Sequence, residues 1–237
     1  MRTVAIIMLC VFTGQVRAQE PGYEVHRTSA PISIDGVVTE EEWGCASQAV
    51  EFIFPWDEQT GARQKTRARL LWDNTNLYVA YECEDADICA RLTNRDDNVW
   101  RDDTVEIFLN VAPTQIAAYY GIEMNVLCTY MDYLWTSEEF YHKTLQFEGV
   151  EVASHIDGTL NESDDTDTGW SLELALPWSN FSAMGRRGPR VGTVYEANMS
   201  RWDGTDPDRR LSLWSDSQLD WPHPHAPAHF GELKFVE

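Results

Sequence analysis

Apolar and polar side chains alternate along most of the chain, and this period of two constrains the fold more than any other feature. In "NLYVAYECE" (76–84), Leu77, Val79, Tyr81 and Cys83 fall on one face. Because successive side chains of a strand point to opposite faces, this segment is predicted to be a half-buried β-strand. The same pattern occurs in "TVEIFLN" (104–110), "GIEMNVL" (121–127), "GWSLELALPW" (169–178), "TVYEANMSRW" (193–202) and "HFGELKFVE" (229–237).

Helical signals are weak and short. "TEEEW" (39–43) predicts one turn with Thr39 as its cap, and "PWSNFSAM" (177–184) predicts another with Pro177 in its first turn. Many short strands separated by Asp, Asn, Gly and Pro clusters favour an all-β fold. The predicted architecture is an antiparallel β-sandwich, jelly-roll-like or immunoglobulin-like, with few short helical turns.

The first residues are typical of an export signal. Arg2 precedes a short apolar run (3–13), and Ala18 is suited to cleavage. The run is too short to span a bilayer. The sequence therefore predicts a signal peptide at 1–18, a single domain at 19–237, and a secreted or periplasmic protein.

The net charge of the chain restricts the kinds of partner that it can bind. The whole chain carries a formal charge of −21, from 18 Lys+Arg and 39 Asp+Glu. Without Arg2 and Arg17 of the leader, 16 basic residues (18 − 2) face 39 acids, which gives −23. Nucleic acid is excluded as a partner because its binding requires basic groups at the phosphates. An anionic membrane is disfavoured for the same reason, no membrane insertion is expected, and a neutral ligand is compatible.

The predicted mature chain has four cysteines, Cys45, Cys83, Cys89 and Cys128. In an oxidising compartment they allow two disulfides with three possible full pairings. The alternative is that they are free thiols packed as small apolar residues.

Ten tryptophans are many for this length. Trp72 and Trp170 belong to strand patterns and are predicted to be core. Trp100 and Trp221 lie in polar loops, where an indole either stacks on a sugar ring or anchors the loop. Three polar side chains in strands, Glu106, Asn125 and Asn198, are either ligands for sugar hydroxyls or part of a wet outer sheet face.

An acidic region surrounds the strand at 104–110. Asp85, Asp87, Asp102 and Asp103 offer oxygen ligands in loops, which suits calcium, although such aspartates also form turns. A glycosidase-like pair of acids also fits the composition, but spacing in sequence does not define its geometry. The array formed by His223, His225 and His229 is either a transition-metal site or a solvated His/Pro loop.

Taken together, these segments resemble the family 9 carbohydrate-binding module, within the wider group of DOMON-like sandwiches. The resemblance runs from about Ile32 to Phe235. It is carried by "ISIDGVVTEEEW", "ARLLWDNTNLYVAYECEDAD", "NVWRDDTVEIFLN", "GWSLELALPW" and "HFGELKF". It implies non-catalytic binding of an oligo- or polysaccharide, calcium in loops, and a place in polysaccharide catabolism beside a separate glycan-degrading enzyme.

The resemblance also assigns roles to residues. It implies that Trp100 and Trp221 clamp a sugar ring while Glu106 and Asn125 bind its hydroxyls, with Asn198 nearby. Where the family has a sugar-binding arginine, this chain has Glu123, which replaces a donor by an acceptor.

Two rival functions stay open at this point. A DOMON-like sandwich can hold haem, and the candidate axial ligands are Met124, Met199 and His142. The second rival is glycoside hydrolysis.

Overall fold

The computed structural model describes residues 20–113, 118–137, 140–143, 145–184 and 188–237. The strands in these ranges are β1 (Gly22–Arg27), β2 (Val50–Glu51), β3 (Thr66–Trp72), β4 (Asn76–Glu84), β5 (Thr104–Asn110), β6 (Tyr119–Asn125), β7 (Tyr130–Ser137), β8 (Phe140–His142), β9 (Glu151–Asp157), β10 (Gly169–Pro177), β11 (Val194–Asp203), β12 (Arg210–Leu213) and β13 (Gly231–Phe235). The helical segments are α1 (Glu40–Trp43) and three 3-10 turns, Val99–Arg101, Trp178–Met184 and Pro227–His229.

The strands form two layers that share β1. Sheet A has the order β8-β7-β6-β5-β11-β13-β1, with β12 beside β11, and sheet B has the order β1-β3-β4-β10-β9, with β2 beside β3. The predicted all-β sandwich is confirmed. Its pairing is antiparallel except at β1, which runs parallel to β13 and to β3. The exception arises because β1 crosses a corner, its first half pairing in sheet A and its second half in sheet B.

The core lies between the two sheets and follows the alternation. Leu77, Val79 and Tyr81 of β4 pack in the same buried cluster as Val105 and Ile107 of β5. Burial of such side chains contributes about 1.5–3 kcal/mol each to stability. Trp72 and Trp170 belong to this cluster, which confirms their prediction as core residues.

Both predicted helical turns are present. The Thr39 hydroxyl accepts the backbone N–H of Glu42 at 3.4 Å and caps α1, as predicted. The second turn is a 3-10 helix, and Pro177 ends β10 instead of opening the turn.

Cys45, Cys83, Cys89 and Cys128 are free thiols, and only Cys83 is fully buried. Of the two predicted alternatives, disulfides or free thiols, the structure has free thiols. The predicted signal peptide, residues 1–18, lies outside the described residues. No helix in the described ranges combines the length and apolarity needed to cross a membrane.

Candidate functional site

The outer face of sheet A, which points away from the core, brings polar side chains from neighbouring strands into rows. In one row the register places Glu106 of β5 directly opposite Glu123 of β6 on one side and Ser200 of β11 on the other. Loops cover this face, so the row is buried rather than solvated. Side chains directly opposite each other in adjacent strands lie about 4.5–5.5 Å apart at Cβ, so the two carboxyl groups interact strongly.

The two glutamates form a buried carboxyl pair. Glu106 is 1 % exposed and Glu123 is 3 % exposed. The Ser200 hydroxyl donates to Glu106 Oε2, and the Tyr133 hydroxyl donates to Glu123 Oε1 at 2.9 Å. Glu123 Oε2 is buried without a hydrogen-bond partner. Burial raises the pKa of Glu106 to about 7, and burial together with the neighbouring Glu106 raises the pKa of Glu123.

Two cations lie near the carboxyl pair, and both donate hydrogen bonds to other groups. Arg209 donates to the carbonyl oxygens of Gly204, at 3.1 Å, and Trp100. Lys143 donates to Asn98 Oδ1 at 2.9 Å. The charge of Arg209 acts on Glu106 and that of Lys143 on Glu123, and each lowers the pKa of its glutamate less than burial raises it.

Trp100 lies in the 3-10 turn before β5 and is partly buried. The Arg101 guanidinium carbon lies 5.1 Å from the centroid of its ring, and that of Arg209 lies 5.9 Å from it. Arg209 also lies 4.7 Å from the ring of Trp202. Trp100 therefore belongs to a cation–π cluster at one end of the outer face.

The other end of this face opens into an aromatic cavity of about 720 Å³. Trp221 is 57 % exposed, and its indole lines the cavity together with Trp135 of β7. The remaining lining comes from the 219–229 segment, with His223, His225 and His229 among its side chains. Its size and apolar character are typical of ligand sites.

A chain of side-chain contacts connects this cavity to the carboxyl pair. The Tyr119 hydroxyl lies 2.7 Å from His225 Nδ1, and the Tyr119 ring stacks on Trp135 with centroids 5.0 Å apart. The His225 ring lies 6.2 Å from the ring of Tyr133, whose hydroxyl reaches Glu123. Burial lowers the pKa of His225 to about 3, so this ring is neutral at pH 7.

Asn125 and Asn198 are engaged within the protein. Asn125 Nδ2 donates to Asp102 Oδ2 and to the carbonyl oxygen of Leu92, both at 2.8 Å, and its Oδ1 accepts two backbone N–H groups. Asn198 exchanges two 2.9 Å hydrogen bonds with the backbone of Ser215. These contacts use most of the hydrogen-bonding capacity of each amide, so both hold loops against the sheet.

The predicted calcium ligands separate into two groups. Asp85 and Asp103 lie together with Asp203, with one carboxylate oxygen of each within 4.8 Å of the others. Asp102 instead accepts the backbone N–H groups of residues 91 and 92, and Asp87 is exposed.

A guanidinium already pairs with two members of the aspartate cluster. Arg201 is fully buried, and its Nη2 donates to Asp85 at 2.9 Å and to Asp203 at 2.5 Å. A divalent cation among the same oxygens would meet this positive charge at close range. Arg201 therefore competes with calcium for Asp85 and Asp203.

A model of the carbohydrate family 9 binding domain-like family matches residues 34–237. The chain belongs to this family. None of the curated proteins compared matches the chain.

Solved structures share the fold. A candidate carbohydrate-binding protein from Bacteroides uniformis is 19% identical, with a TM-score of 0.76 over 92% of this chain and 100% of its own. A family 9 carbohydrate-binding module from Caldicellulosiruptor kristjanssonii in complex with cellotriose is 18% identical, with a TM-score of 0.58 over 91% of this chain and 93% of its own. The glucose complex from the same organism gives 18% identity and a TM-score of 0.57 over 90% and 95%. At these low sequence identities, the structural similarity shows a shared fold.

Two of the three candidate haem ligands are core residues. Met124 and Met199 are fully buried in the core cluster between the sheets. The side chain of His142 lies outside the described residues.

Sequence reasoning did not select several residues of this site. Tyr133 and Trp135 alternate in "YMDYLW" (130–135), and this pattern was sufficient to place them on one face. Arg209 and Asp203 carried no such signal, because they reach their partners through loop geometry and sheet register.

Proposed function

We propose that this family 9 domain binds a carbohydrate without catalysis in the aromatic cavity at one end of the outer face of sheet A. The observation that carries the proposal is the placement of Trp221 and Trp135 on one cavity, whose wall includes His225. Family membership supports the same conclusion.

Stacking supplies the affinity in this proposal. The axial C–H face of a sugar is apolar, and an exposed indole such as that of Trp221 loses unfavourable contact with water when a ring covers it. Trp135 supplies a second aromatic wall, and His225 is neutral and offers a ring face and a nitrogen. The cavity thereby combines apolar walls with a few polar groups that orient a ligand.

Hydrogen bonding supplies the orientation. Along β6, Glu123 is four residues from Tyr119, the register partner of Trp135, which corresponds to about 13 Å. The polar side chains that line the cavity itself are His223, His225 and His229, and the carboxyl pair is buried beyond them. Asn125 and Asn198 shape the face by holding its loops.

Trp100 lies at the far end of the same face, in the cation–π cluster with Arg209, so a sugar ring that it contacts is a different one from the ring on Trp221. Two complexes of family 9 modules hold cellotriose and glucose, which makes β-linked glucose oligomers the first ligands to test. Secretion and a contribution to polysaccharide catabolism, beside a separate enzyme, complete the proposal.

Isothermal titration with glucose, cellotriose and a panel of other oligosaccharides tests the proposal. We expect saturable heat with at least one oligosaccharide and no release of shorter sugars on prolonged incubation. Release of sugar that disappears in Glu106→Gln would favour a hydrolase instead.

The matched variants are Trp221→Ala and Trp214→Phe, the second being a buried tryptophan outside the cavity. Loss of binding in the first and retention in the second supports the site. Absence of heat from the whole panel with correctly folded protein would reject carbohydrate binding.

A further inference from the structure

The aromatic cavity has few groups that can satisfy the hydroxyls of a sugar. Nine side chains line it within the described part of the chain: Trp135, Leu219, Trp221, His223, His225, Ala226, Pro227, Ala228 and His229. None of these nine is a carboxylate, an amide, an alcohol or a guanidinium, the groups that can bond to two hydroxyls at once. The polar side-chain groups of this lining are the imidazoles and the indole N–H groups.

The imidazoles add little capacity because their Nδ1 atoms are used within the protein. His225 Nδ1 lies 2.7 Å from the Tyr119 hydroxyl, and His229 Nδ1 lies 3.1 Å from Glu20 Oε1. His223 Nδ1 accepts the backbone N–H of His225 at 3.3 Å. Each of the three rings therefore has at most one nitrogen for a ligand.

The backbone of the 3-10 turn at 227–229 is also short of donors. Ala226 donates its N–H to the carbonyl oxygen of Pro224 at 3.0 Å, and His229 donates its N–H to the carbonyl oxygen of Ala226 at 2.9 Å. Pro227 has no N–H. The turn thus has at most one backbone N–H for a ligand, that of Ala228.

Part of the lining is an aliphatic wall, formed by Leu219, Ala226, Pro227 and Ala228. Trp221 is 57 % exposed and Ala228 is exposed, so the cavity opens to solvent and a ligand can reach it. A sugar hydroxyl placed against this wall loses hydrogen bonds to water without replacement, whereas a methyl group placed there is favoured.

The described lining holds no fixed charge that would select a charged sugar. It contains no acidic, lysine or arginine side chain, and burial lowers the pKa of His225 to about 3, so this ring is neutral at pH 7. An ammonium group would find no carboxylate among these side chains. The formal charge of −21 on the whole chain repels a carboxylated or sulfated sugar. The cavity therefore favours a neutral ligand.

We infer that the aromatic cavity selects neutral oligosaccharides that carry acetyl groups, with a sugar ring on Trp221 and the acetyl methyl group against the aliphatic wall. The inference rests on the proposed carbohydrate-binding function and adds the class of sugar. An acetyl ester replaces the O–H donor of a sugar by a carbonyl acceptor and a methyl group, and an acetyl amide has one N–H in addition. An acetyl carbonyl needs one donor, which matches the few donors of this lining.

Two matched pairs of trimers test the inference: cellotriose against the β-1,4 trimer of N-acetylglucosamine, and xylotriose against its O-acetylated form. Isothermal titration at pH 7 measures the dissociation constant of each. Burial of one methyl group corresponds to about a fourfold gain in affinity, so two buried methyl groups make an acetylated trimer bind at least about tenfold more tightly than its unacetylated partner. The pair that shows the preference distinguishes acetyl amides from acetyl esters.

Leu219→Asn keeps the approximate size of the side chain and places an amide in the aliphatic wall. We expect the preference for acetylated trimers to fall to about threefold or less. Val191→Asn makes a similar change at a side chain that is 51 % exposed and lies outside the lining, and it should keep the preference. Circular dichroism verifies the folds. If Leu219→Asn does not fold, Ala228→Ser, at an exposed position of the same wall, takes its place.

Equal or weaker binding of both acetylated trimers, with an unacetylated sugar still bound, overturns the inference and leaves the proposed function standing. A preference unchanged in the folded wall variant also overturns it, because the aliphatic wall is then not its source. Absence of binding by all four trimers and by the wider panel rejects the proposed function itself.

Discussion

Trp43 Nε1 donates a 2.7 Å hydrogen bond to Glu173 Oε1, and this contact ties the N-terminal segment to the middle of β10. The other oxygen of Glu173 accepts the backbone N–H groups of Gly36 at 2.8 Å and Asp35 at 3.0 Å. One buried carboxylate therefore connects the Ile-Asp-Gly stretch and the tryptophan of the opening motif "ISIDGVVTEEEW". These sequence-distant residues share a single structural function.

Replacing Glu173 should destabilise the fold. Glu173→Ala leaves three donors without their acceptor, and we expect the free energy of unfolding to fall by about 2–4 kcal/mol. Urea unfolding followed by tryptophan fluorescence measures the change. Glu162→Ala, an exposed acid in a loop, is the control and should stay within about 0.5 kcal/mol of the parent. A similar small effect for Glu173→Ala would contradict this role.

The Glu106–Glu123 pair should make stability fall as pH rises. The folded-state pKa of Glu106, about 7, lies above its ordinary value of 4.5. Between these two pH values the folded protein therefore binds more protons than the unfolded chain. The contribution of Glu106 to stability is fully present below pH 4.5 and is lost as the pH rises through 7. We expect Glu106→Gln to reduce this decline by roughly 1–3 kcal/mol.

Urea midpoints at pH 5, 6, 7 and 8 for both proteins measure this difference. Asp103 and Asp203 also have raised pKa values from burial, so the parent alone is not informative. Parallel curves for parent and variant would mean that Glu106 does not titrate in this range.

The Asp85–Asp103–Asp203 cluster should not depend on a metal. Because Arg201 supplies the positive charge, we expect chelation by EDTA to leave the melting temperature unchanged. Arg201→Met removes this charge from a buried ion pair, and we expect a loss of about 3–5 kcal/mol.

Arg67→Met, at an exposed pair with Glu51, is the matched control and should cost less than about 1 kcal/mol. A lower melting temperature after EDTA, restored by calcium, would show that the cluster binds the ion despite Arg201.

The position of the Tyr133 ring should depend on Gly121, which lies beneath it. A Cβ atom at Gly121 would lie 2.3 Å from the Tyr133 ring, so Gly121→Ala must displace that ring and its hydrogen bond to Glu123. We expect a loss of about 1–3 kcal/mol in stability, the range typical of overpacking. Tyr133→Phe keeps the ring and removes the hydroxyl, which separates the packing effect from the hydrogen bond. A Gly121→Ala variant as stable as the parent would mean that the ring is not held there.

The sequence alone determined the strands and the side of each strand that enters the core. Side-chain alternation is a local property of extended backbone, so Leu77, Val79 and Val105 were placed correctly from their spacing. The same reasoning put Glu106 on an outer face, and the ordered motifs carry the resemblance to family 9 in the sequence itself. Trp72 and Trp170 were placed in the core for the same local reason.

Tertiary structure decided which of these side chains meet. The pairing of Glu106 with Glu123, the insertion of Arg201 among three aspartates, and the sharing of one cavity by Trp135 and Trp221 depend on register and loop paths. A shift of one residue in register moves a side chain to the opposite face, so these contacts do not follow from spacing along the chain. Local chemistry therefore specified the elements, while long-range packing created the site.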